Sequence, residues 1–240
     1  MKKKYVTFNP VLIKGIEDMG FKRKNKDYFC KDLNDGLTCS LLFNSYSPMP
    51  RWRSYYIMIN ITIPGLAESA EWINGPYPPG DTNLQGLGEI TPKRDFLSWE
   101  TCNDTPWEEE MSVITDMIDK VKRYALPYIE SFSTEEGVIR GIINKTFGKG
   151  IRGGIYVCPH YLFMKGYRRE AIKYIEDLKK QMLESIEEEK KERQLYARQW
   201  HELYVETTNR IYQRYNVSED EIKEVLQGEN GLLHCLRGWL

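Results

Sequence analysis

The sequence contains no apolar run that approaches the roughly 18 to 20 residues needed by a membrane-spanning helix. Its opening residues, Met1-Lys2-Lys3-Lys4, lead into a mixed polar segment and not into the apolar core of a signal peptide. These absences predict a soluble, cytoplasmic protein that does not cross a membrane.

Cysteine and histidine are scarce, with five and three residues among 240. The cysteines are odd in number, lie far apart and form no C-x-x-C pair, which argues against a disulfide framework and a zinc knuckle. His201-Glu202 starts like the zinc-protease motif H-E-x-x-H, but Val205 occupies the position of the second ligand. We therefore assign no metal site, no cofactor and no catalytic residue from the sequence.

Neither sign of charge is in excess, since the formal net charge is −1. The charge is distributed unevenly: residues 1–53 carry +6, residues 54–137 carry −10, and the remainder carries +3. A dedicated nucleic-acid-binding protein is usually basic overall or along one face. Nucleic-acid binding therefore remains possible only for the basic N-terminal portion, residues 1–53.

The first third of the chain predicts one short helix followed by an antiparallel sheet. Residues 28–33 and 37–46 flank Asn34-Asp35-Gly36, whose residues tolerate the positive φ of a tight hairpin loop. The resulting hairpin places Cys30 opposite Ser40. The connections in this region are too short for parallel crossovers, so we expect three to five antiparallel strands.

An alternation of apolar residues predicts the central strand of this sheet. The odd-numbered positions from 55 to 63 are Tyr55, Ile57, Ile59, Ile61 and Ile63, whereas Asn60 and Thr62 stand between them. This period of two is typical of a half-buried strand. The segment 64–105 is rich in proline and glycine, and we expect further strands near 84–90 and 96–99.

Two sequences of the capping-box type predict helices that cover the sheet. Thr105-Pro106-Trp107-Glu108 should start a helix that runs to about residue 132 with a kink at Pro127. Ser133-Thr134-Glu135-Glu136 should start another that ends at Gly148. Together these patterns predict an α+β domain over residues 1–165.

The C-terminal region, 166–240, predicts a long helical extension. A helical period runs from about 167 to 215, which would span roughly 70 Å if unbroken. The segment 187–194 is polar all round, so it is either a solvated bridge or a break. Ser218 should cap a last helix, and the apolar terminus from Leu232 to Leu240 should dock on the protein.

Gly148-Lys149-Gly150-Ile151-Arg152-Gly153 formally matches the dinucleotide fingerprint G-x-G-x-x-G. That fingerprint requires a preceding strand and a following helix, whose amide groups hold the pyrophosphate. Here the glycines close a predicted helix. We interpret them as a C-cap and a flexible connection.

Basic and aromatic residues occur together at 51–55, and a second basic segment lies at 22–26. Arginine, tryptophan and tyrosine dominate protein interfaces, and cations beside aromatic rings also suit nucleobases and phosphates. An ordinary strand flanked by surface arginines remains the simplest interpretation. The candidate partner-binding residues are Lys22, Arg23, Lys24, Lys26, Arg51, Trp52, Arg53 and Tyr55.

Several of these segments resemble a known family. The segments are 16–25 with Tyr28-Phe29, then 56–64 with its Ile-Asn-Ile core, and 124–133 with Leu126-Pro127. In content and order they are similar to the bacterial family catalogued as domain of unknown function 4304, over about residues 10–180. The resemblance implies an α+β fold in a bacterial or phage-related setting, and it transfers no functional residue.

Three functions remain open at this point. The first is a non-enzymatic protein-interaction protein, such as an immunity or defence-system accessory subunit, which could also form homo-oligomers through the long C-terminal helix. The second is a nucleic-acid-binding protein that uses the basic and aromatic N-terminal residues. The third is an enzyme whose site is assembled from distant residues, for instance Glu89, Asp95, Glu100 and His160.

Overall fold

The computed structural model describes residues 9–47, 49, 51–73, 80–102, 104–151, 153–188 and 191–227. The strands are β1 (Lys22–Arg23), β2 (Tyr28–Asp32), β3 (Thr38–Tyr46), β4 (Trp52–Thr62), β5 (Thr82–Gly86) and β6 (Trp99–Cys102). The α-helices are α1 (Pro10–Glu17), α2 (Leu66–Ser69), α3 (Trp107–Lys120), α4 (Leu126–Ser131), α5 (Glu135–Ile143), α6 (Gly154–Met164), α7 (Arg168–Glu188) and α8 (Lys191–Arg214). The structure also contains a 3₁₀ turn, Leu87–Ile90, and a π-helical turn, Val121–Ala125.

The chain folds into two compact units. The sheet unit comprises Met1–Pro64 and Asp81–Gly141, and the helical unit comprises Gly65–Gly80 and Ile142–Leu240. The α+β fold class with a helical C-terminal region is therefore confirmed. The division between the two compact units falls within α5, between Gly141 and Ile142. The expected boundary between two domains at 165/166 stays a prediction.

The sheet unit is built on six antiparallel strands in the order β1-β2-β3-β4-β5, and β6 pairs with the first half of β4. In the predicted hairpin, Cys30 lies opposite Ser40, and the Leu33 N–H donates to the Leu37 carbonyl at 2.9 Å. Asp35 has a φ of 55° and Gly36 a φ of 74°. The loop residues thus adopt the positive φ values that the sequence predicts.

The alternation in β4 is confirmed by burial. Ile57, Ile59 and Ile61 are at most 1 % exposed, whereas Met58 and Asn60 between them are only partly buried. The odd-numbered side chains form the core of the unit together with Leu41 and Phe43 of β3. Because side chains alternate along a strand, the even-numbered residues of β4 lie on the opposite face of the sheet.

The predicted strand at 84–90 is partly wrong. The chain is extended only as β5, Thr82–Gly86, and it turns into the 3₁₀ segment at Leu87. A β-carbon on Gly88 would lie 2.0 Å from the backbone oxygen of Asp95, so this turn packs against the following loop at a distance that only glycine permits. The second predicted strand is shifted to β6.

Pro127 perturbs the helix that leads to it, as expected. The five residues Val121–Ala125 form a π-helical turn between α3 and α4, because proline cannot donate to the carbonyl one turn earlier. Two polar contacts tie this helical run to the strands. The Trp99 indole N–H donates to Asp116 at 2.8 Å, and the Asn83 amide donates to the Tyr128 hydroxyl at 2.9 Å.

The capping box predicted at Thr105 is wrong. The Thr105 hydroxyl accepts a hydrogen bond from the Cys102 N–H at 2.7 Å, so it closes the turn after β6. Pro106 takes the N-cap position of α3, without a side-chain hydrogen bond. Glu108, Glu109 and Glu110 supply negative charge in the first turn, where the helix dipole favours it.

The capping box predicted at Ser133 is wrong: the N-cap of α5 is Thr134, one residue later, and its third helical residue is Gly137, which has no side chain to complete a box. The Thr134 hydroxyl accepts from the Gly137 N–H at 3.1 Å, whereas the Ser133 hydroxyl donates backwards to the Glu130 carbonyl at 2.9 Å. The Asp35 carboxylate accepts from the Glu135 N–H at 2.9 Å and thereby attaches the hairpin loop to this helix. The helix ends at Ile143 and not at Gly148.

This arrangement yields a test of the helix cap. Thr134→Ala should lower the free energy of unfolding of the sheet unit by about 1 kcal/mol, because an N–H of α5 loses its partner. Ser133→Ala is the matched control and should cost less than about 0.5 kcal/mol, since its hydroxyl bonds only to a preceding carbonyl. Amide hydrogen exchange of α5 measures both values, because it reports the stability of the sheet unit separately from that of the helical unit. A larger loss for Ser133→Ala would contradict the assigned cap.

Helix α6 is the buried centre of the helical unit. It carries apolar residues on almost all sides, which is typical of a helix enclosed by others. Val157, Cys158 and Leu162 are fully buried, and Pro159 lies inside the helix. Burial raises the pKa of the Cys158 thiol to about 12, so this cysteine is an inert core residue.

Helices α7 and α8 are antiparallel, so the helical period over 167–215 does not form one unbroken helix of about 70 Å. The Tyr212 hydroxyl donates to Glu176 at 2.8 Å, and the Arg168 guanidinium donates to the Tyr215 carbonyl at 2.6 Å. The start of α7 therefore meets the end of α8, which means that the two helices run in opposite directions. The predicted bridge or break at 187–194 falls partly outside the described residues.

Ser218 caps the last helical segment, 219–227, as predicted, because its hydroxyl accepts from the Glu221 N–H at 3.2 Å. The apolar terminus from Leu232 to Leu240 lies outside the described residues. Among the helices that the structure describes, none combines the length and the apolar character required to cross a bilayer.

Candidate functional site

One end of the sheet unit gathers large apolar side chains that remain exposed. Tyr46 at the end of β3 is 48 % exposed, Trp52 at the start of β4 is 42 % exposed, and Met49 between the two strands is 57 % exposed. Phe96, which precedes β6, is 70 % exposed. With Tyr56 these residues form what we call the aromatic surface.

The strand register explains why these side chains meet. Tyr46 pairs with Ser54 across β3 and β4, so Tyr56, two residues further along β4, lies diagonal to it on the same face. The Tyr56 ring is 6.4 Å from the Tyr46 ring and 5.8 Å from the Phe96 ring. Such tilted aromatic contacts hold the exposed rings in a defined arrangement.

The predicted partner-binding residues divide into two basic segments that the fold brings to the same end of the sheet. Lys24 and Lys26 lie in the turn between β1 and β2, and Arg51 and Arg53 flank Trp52 at the start of β4. Lys22 and the rest of β1 form the edge of the sheet.

Two of the predicted residues have structural roles. Arg23 donates to the carbonyl oxygens of Asn25 and Lys26, both at 3.0 Å, and so holds its own turn together. Tyr55 is 1 % exposed, because it belongs to the odd-numbered core face of β4. It is therefore not available to a partner, and Tyr56 occupies the exposed face in its place.

Acidic groups lie at the same end of the sheet, and one of them, Glu100, shares the face of Tyr46. Glu100 of β6 lies opposite Ser54, so its exposed carboxylate shares a face with Tyr46. Lys26 forms an ion pair with Asp27 at 3.5 Å. The aromatic surface is thus bordered by both signs of charge, a mixture that suits a protein surface better than a phosphate backbone.

The residues proposed for a composite catalytic site are divided between the two compact units. Glu89 caps its own turn by accepting from the Gly86 N–H at 3.3 Å. Glu89, Asp95 and Glu100 belong to the sheet unit, whereas His160 belongs to the helical unit. The His160 ring is only 2 % exposed, and burial lowers its pKa to about 4.

No arrangement of histidine, cysteine and acidic side chains suited to a metal ion occurs in the described part of the chain. The described cysteines, Cys30, Cys39, Cys102 and Cys158, are free thiols. Burial raises the pKa of Cys39 to about 12, which removes it as a nucleophile near neutral pH.

Sequence analysis missed Tyr46, Met49 and Phe96 because each stands outside a recognisable motif. The sequence did contain one indication of this surface, because Tyr46 ends a predicted strand. The antiparallel pairing of that strand with β4 places Tyr46 opposite Ser54, close to Trp52 and Arg53. The position of Phe96 follows from the pairing of β6 with β4, and local periodicity does not specify that pairing.

These features define an α+β sheet unit that displays an aromatic surface at one end, in a chain that also contains a helical unit. No family model, curated protein or solved structure matches the chain.

Proposed function

We propose that this chain is a non-enzymatic protein-binding protein that contacts its partner through the aromatic surface. The observation that carries the proposal is the grouping of Tyr46, Met49, Trp52 and Phe96, all more than 40 % exposed, at one end of one sheet. Large exposed apolar groups cost free energy in water unless a partner covers them. Tyrosine, tryptophan and arginine are also the residues that dominate interface binding energies.

The cellular setting is part of the same proposal. The resemblance to the family of domain of unknown function 4304 supports a bacterial or phage-related, cytoplasmic protein. An immunity or defence-system accessory subunit would need a binding surface and no chemistry of its own. That role agrees with a surface bordered by mixed charges.

The proposal is tested by site-specific cross-linking. A photoreactive p-benzoylphenylalanine at Tyr46 should cross-link one protein in the source cell, because that position lies on the aromatic surface. The same amino acid at Met164, in the helical unit, is the matched control, since the two native side chains are 48 % and 47 % exposed. Equal cross-linking at both positions, or none at Tyr46, would contradict the proposal.

Once the cross-linked protein is purified, Trp52→Ala should weaken its binding about thirtyfold, which corresponds to about 2 kcal/mol for an interface hot spot. Met164→Ala should change the dissociation constant less than twofold. Isothermal titration calorimetry measures both constants. A cross-link from Tyr46 to a second copy of this chain would redirect the proposal to self-association.

Nucleic-acid binding is the second candidate, because the turn 24–27 and Arg51 to Arg53 lie at the same end of the sheet. Arg51→Glu combined with Arg53→Glu would then abolish binding to single-stranded RNA or DNA, and the affinity of the native chain would fall steeply with salt. Salt-independent binding, or none, would exclude this candidate.

A further inference from the structure

The helical unit contains a cavity that the aromatic surface does not involve. The cavity has a volume of about 390 Å³ and lies between the connection from α5 to α6 and the helices α7 and α8. Its apolar walls include Phe147, Tyr174, Leu178 and Trp200. Small-molecule sites in proteins are concave, mostly apolar spaces of about 300 to 1,000 Å³, so this cavity has the size of a ligand site.

The glycine-rich stretch forms one wall of the cavity in a way that the sequence interpretation missed. The stretch does follow a helix, but it also leads directly into α6 at Gly154. A β-carbon on Gly154 would lie 2.2 Å from the Gly148 carbonyl oxygen, and one on Gly148 would lie 2.4 Å from the Cys158 sulfur. The backbone therefore packs as closely as glycine allows. Gly148 and Gly154 thus occupy positions where any side chain would collide with neighbouring atoms.

The ionisable side chains around the cavity indicate the charge of its ligand. Lys145 and Lys149 contribute cations, and no aspartate or glutamate belongs to the described lining. Lys145 forms an ion pair with Asp177 at 3.0 Å, which neutralises its charge. Lys149 is exposed and forms no ion pair within the described residues. Among the described lining residues, Lys149 is thus the one cation that has no ion-pair partner, and it lies beside apolar walls.

We propose that this cavity binds a small apolar carboxylate, with its hydrocarbon body against Leu178 and Trp200 and its anionic group at Lys149. At about 30 Å³ for each water-sized group, the cavity of about 390 Å³ accommodates about 13 such groups. A medium-chain fatty acid and a bicyclic aromatic acid both have this size and charge. Decanoate, with 12 non-hydrogen atoms, and 2-naphthoate, with 13, represent these two sources.

The test uses the full chain labelled with 5-fluorotryptophan, in which Trp200→Phe assigns the fluorine resonance of Trp200. Decanoate or 2-naphthoate should shift that resonance saturably. The acid that binds with the lower dissociation constant shows whether the natural ligand is aliphatic or aromatic. Decylammonium has the same chain with the opposite charge, so it should bind at least tenfold more weakly than decanoate. Equal affinity for decylammonium and decanoate would overturn the proposal.

Two variants locate the binding site. Lys149→Glu should weaken binding of the preferred acid at least tenfold, because it replaces the attracting charge by a repelling one. Lys180→Glu is the matched control on α7, outside the lining, and should change affinity less than twofold. Leu178→Trp should abolish binding by filling the cavity. Unchanged affinity in Lys149→Glu or Leu178→Trp, or no saturable shift in the native chain, would also overturn the proposal.

Discussion

Replacing Ile59 by alanine should lower the free energy of unfolding of the sheet unit by about 3 to 4 kcal/mol. Ile59 is fully buried in the middle of β4, between Leu41 of β3 and Gln85 of β5. Removing its buried methyl and methylene groups loses their transfer free energy and leaves a cavity that hydrogen-bonded strands cannot close by collapsing.

The matched control is the preceding residue on the other face. Met58 is only partly buried, so Met58→Ala should cost about 1 kcal/mol. Amide hydrogen exchange of β3 and β4 measures both losses, because a chain with two compact units can unfold in two steps and a single global transition would mix them. Equal losses for the two variants would show that the two faces of β4 are not buried differently.

The sheet could be predicted from sequence because its determinants are local. The turn Asn34-Asp35-Gly36 fixes the register of β2 and β3, and the alternation in β4 fixes which face is buried. A slip of one residue would turn Ile57, Ile59 and Ile61 towards water, so the register is strongly specified. These features need only neighbouring residues and a period of two.

The errors arose where distant contacts override local preference. Threonine is a common N-cap residue, and Thr105 stands where the sequence predicts a helix to begin. Its hydroxyl instead accepts a hydrogen bond from the Cys102 N–H, which lies near it only because β6 ends there. Likewise the helical period over 167–215 is real, yet periodicity does not tell a rod from a hairpin. The contact between Glu176 and Tyr212 is a tertiary contact, and it distinguishes the two.

The candidate sites show the same division. Trp52 and the two arginines beside it could be identified from sequence, because their residue types are unusual at a strand start. The cavity could not, since its wall residues are spread over more than fifty positions and each resembles an ordinary core residue. The glycine-rich stretch was the one indication in the sequence of close backbone packing at this wall. At Gly148 and Gly154 a β-carbon would collide with its surroundings, so glycine is required there.

Acidification should destabilise the helical unit through His160, by about 3 kcal/mol between pH 7 and pH 4. His160 is 2 % exposed; its Nε2 lies 3.0 Å from the Ser69 carbonyl oxygen and its Nδ1 lies 2.9 Å from the Tyr215 hydroxyl. The neutral ring satisfies both contacts, because Nε2–H donates to the carbonyl while Nδ1 accepts from the hydroxyl. A protonated Nδ1 would instead present its own hydrogen to that hydroxyl.

Burial is the main reason that the pKa of His160 falls from its ordinary 6.5 to about 4, and the nearby Arg214 charge also lowers it. Since the folded pKa is the lower of the two, the unfolded chain binds the proton more tightly. The stabilisation is therefore complete above pH 6.5 and is lost as the pH falls towards 4. At about 1.4 kcal/mol per pKa unit, the difference gives the expected loss.

The variant His160→Gln isolates this contribution, because glutamine does not titrate in this range. It should be less stable than the native chain at pH 7, and its stability should fall less between pH 7 and pH 4 by about 3 kcal/mol. His201→Gln is the control and should retain the native slope, since His160 is intact. Amide exchange of α6 at both pH values measures these differences. If native chain and His160→Gln lose stability in parallel, the His160 ring is already protonated or solvated in the folded protein, and the hydrogen bonds assigned to it are incorrect.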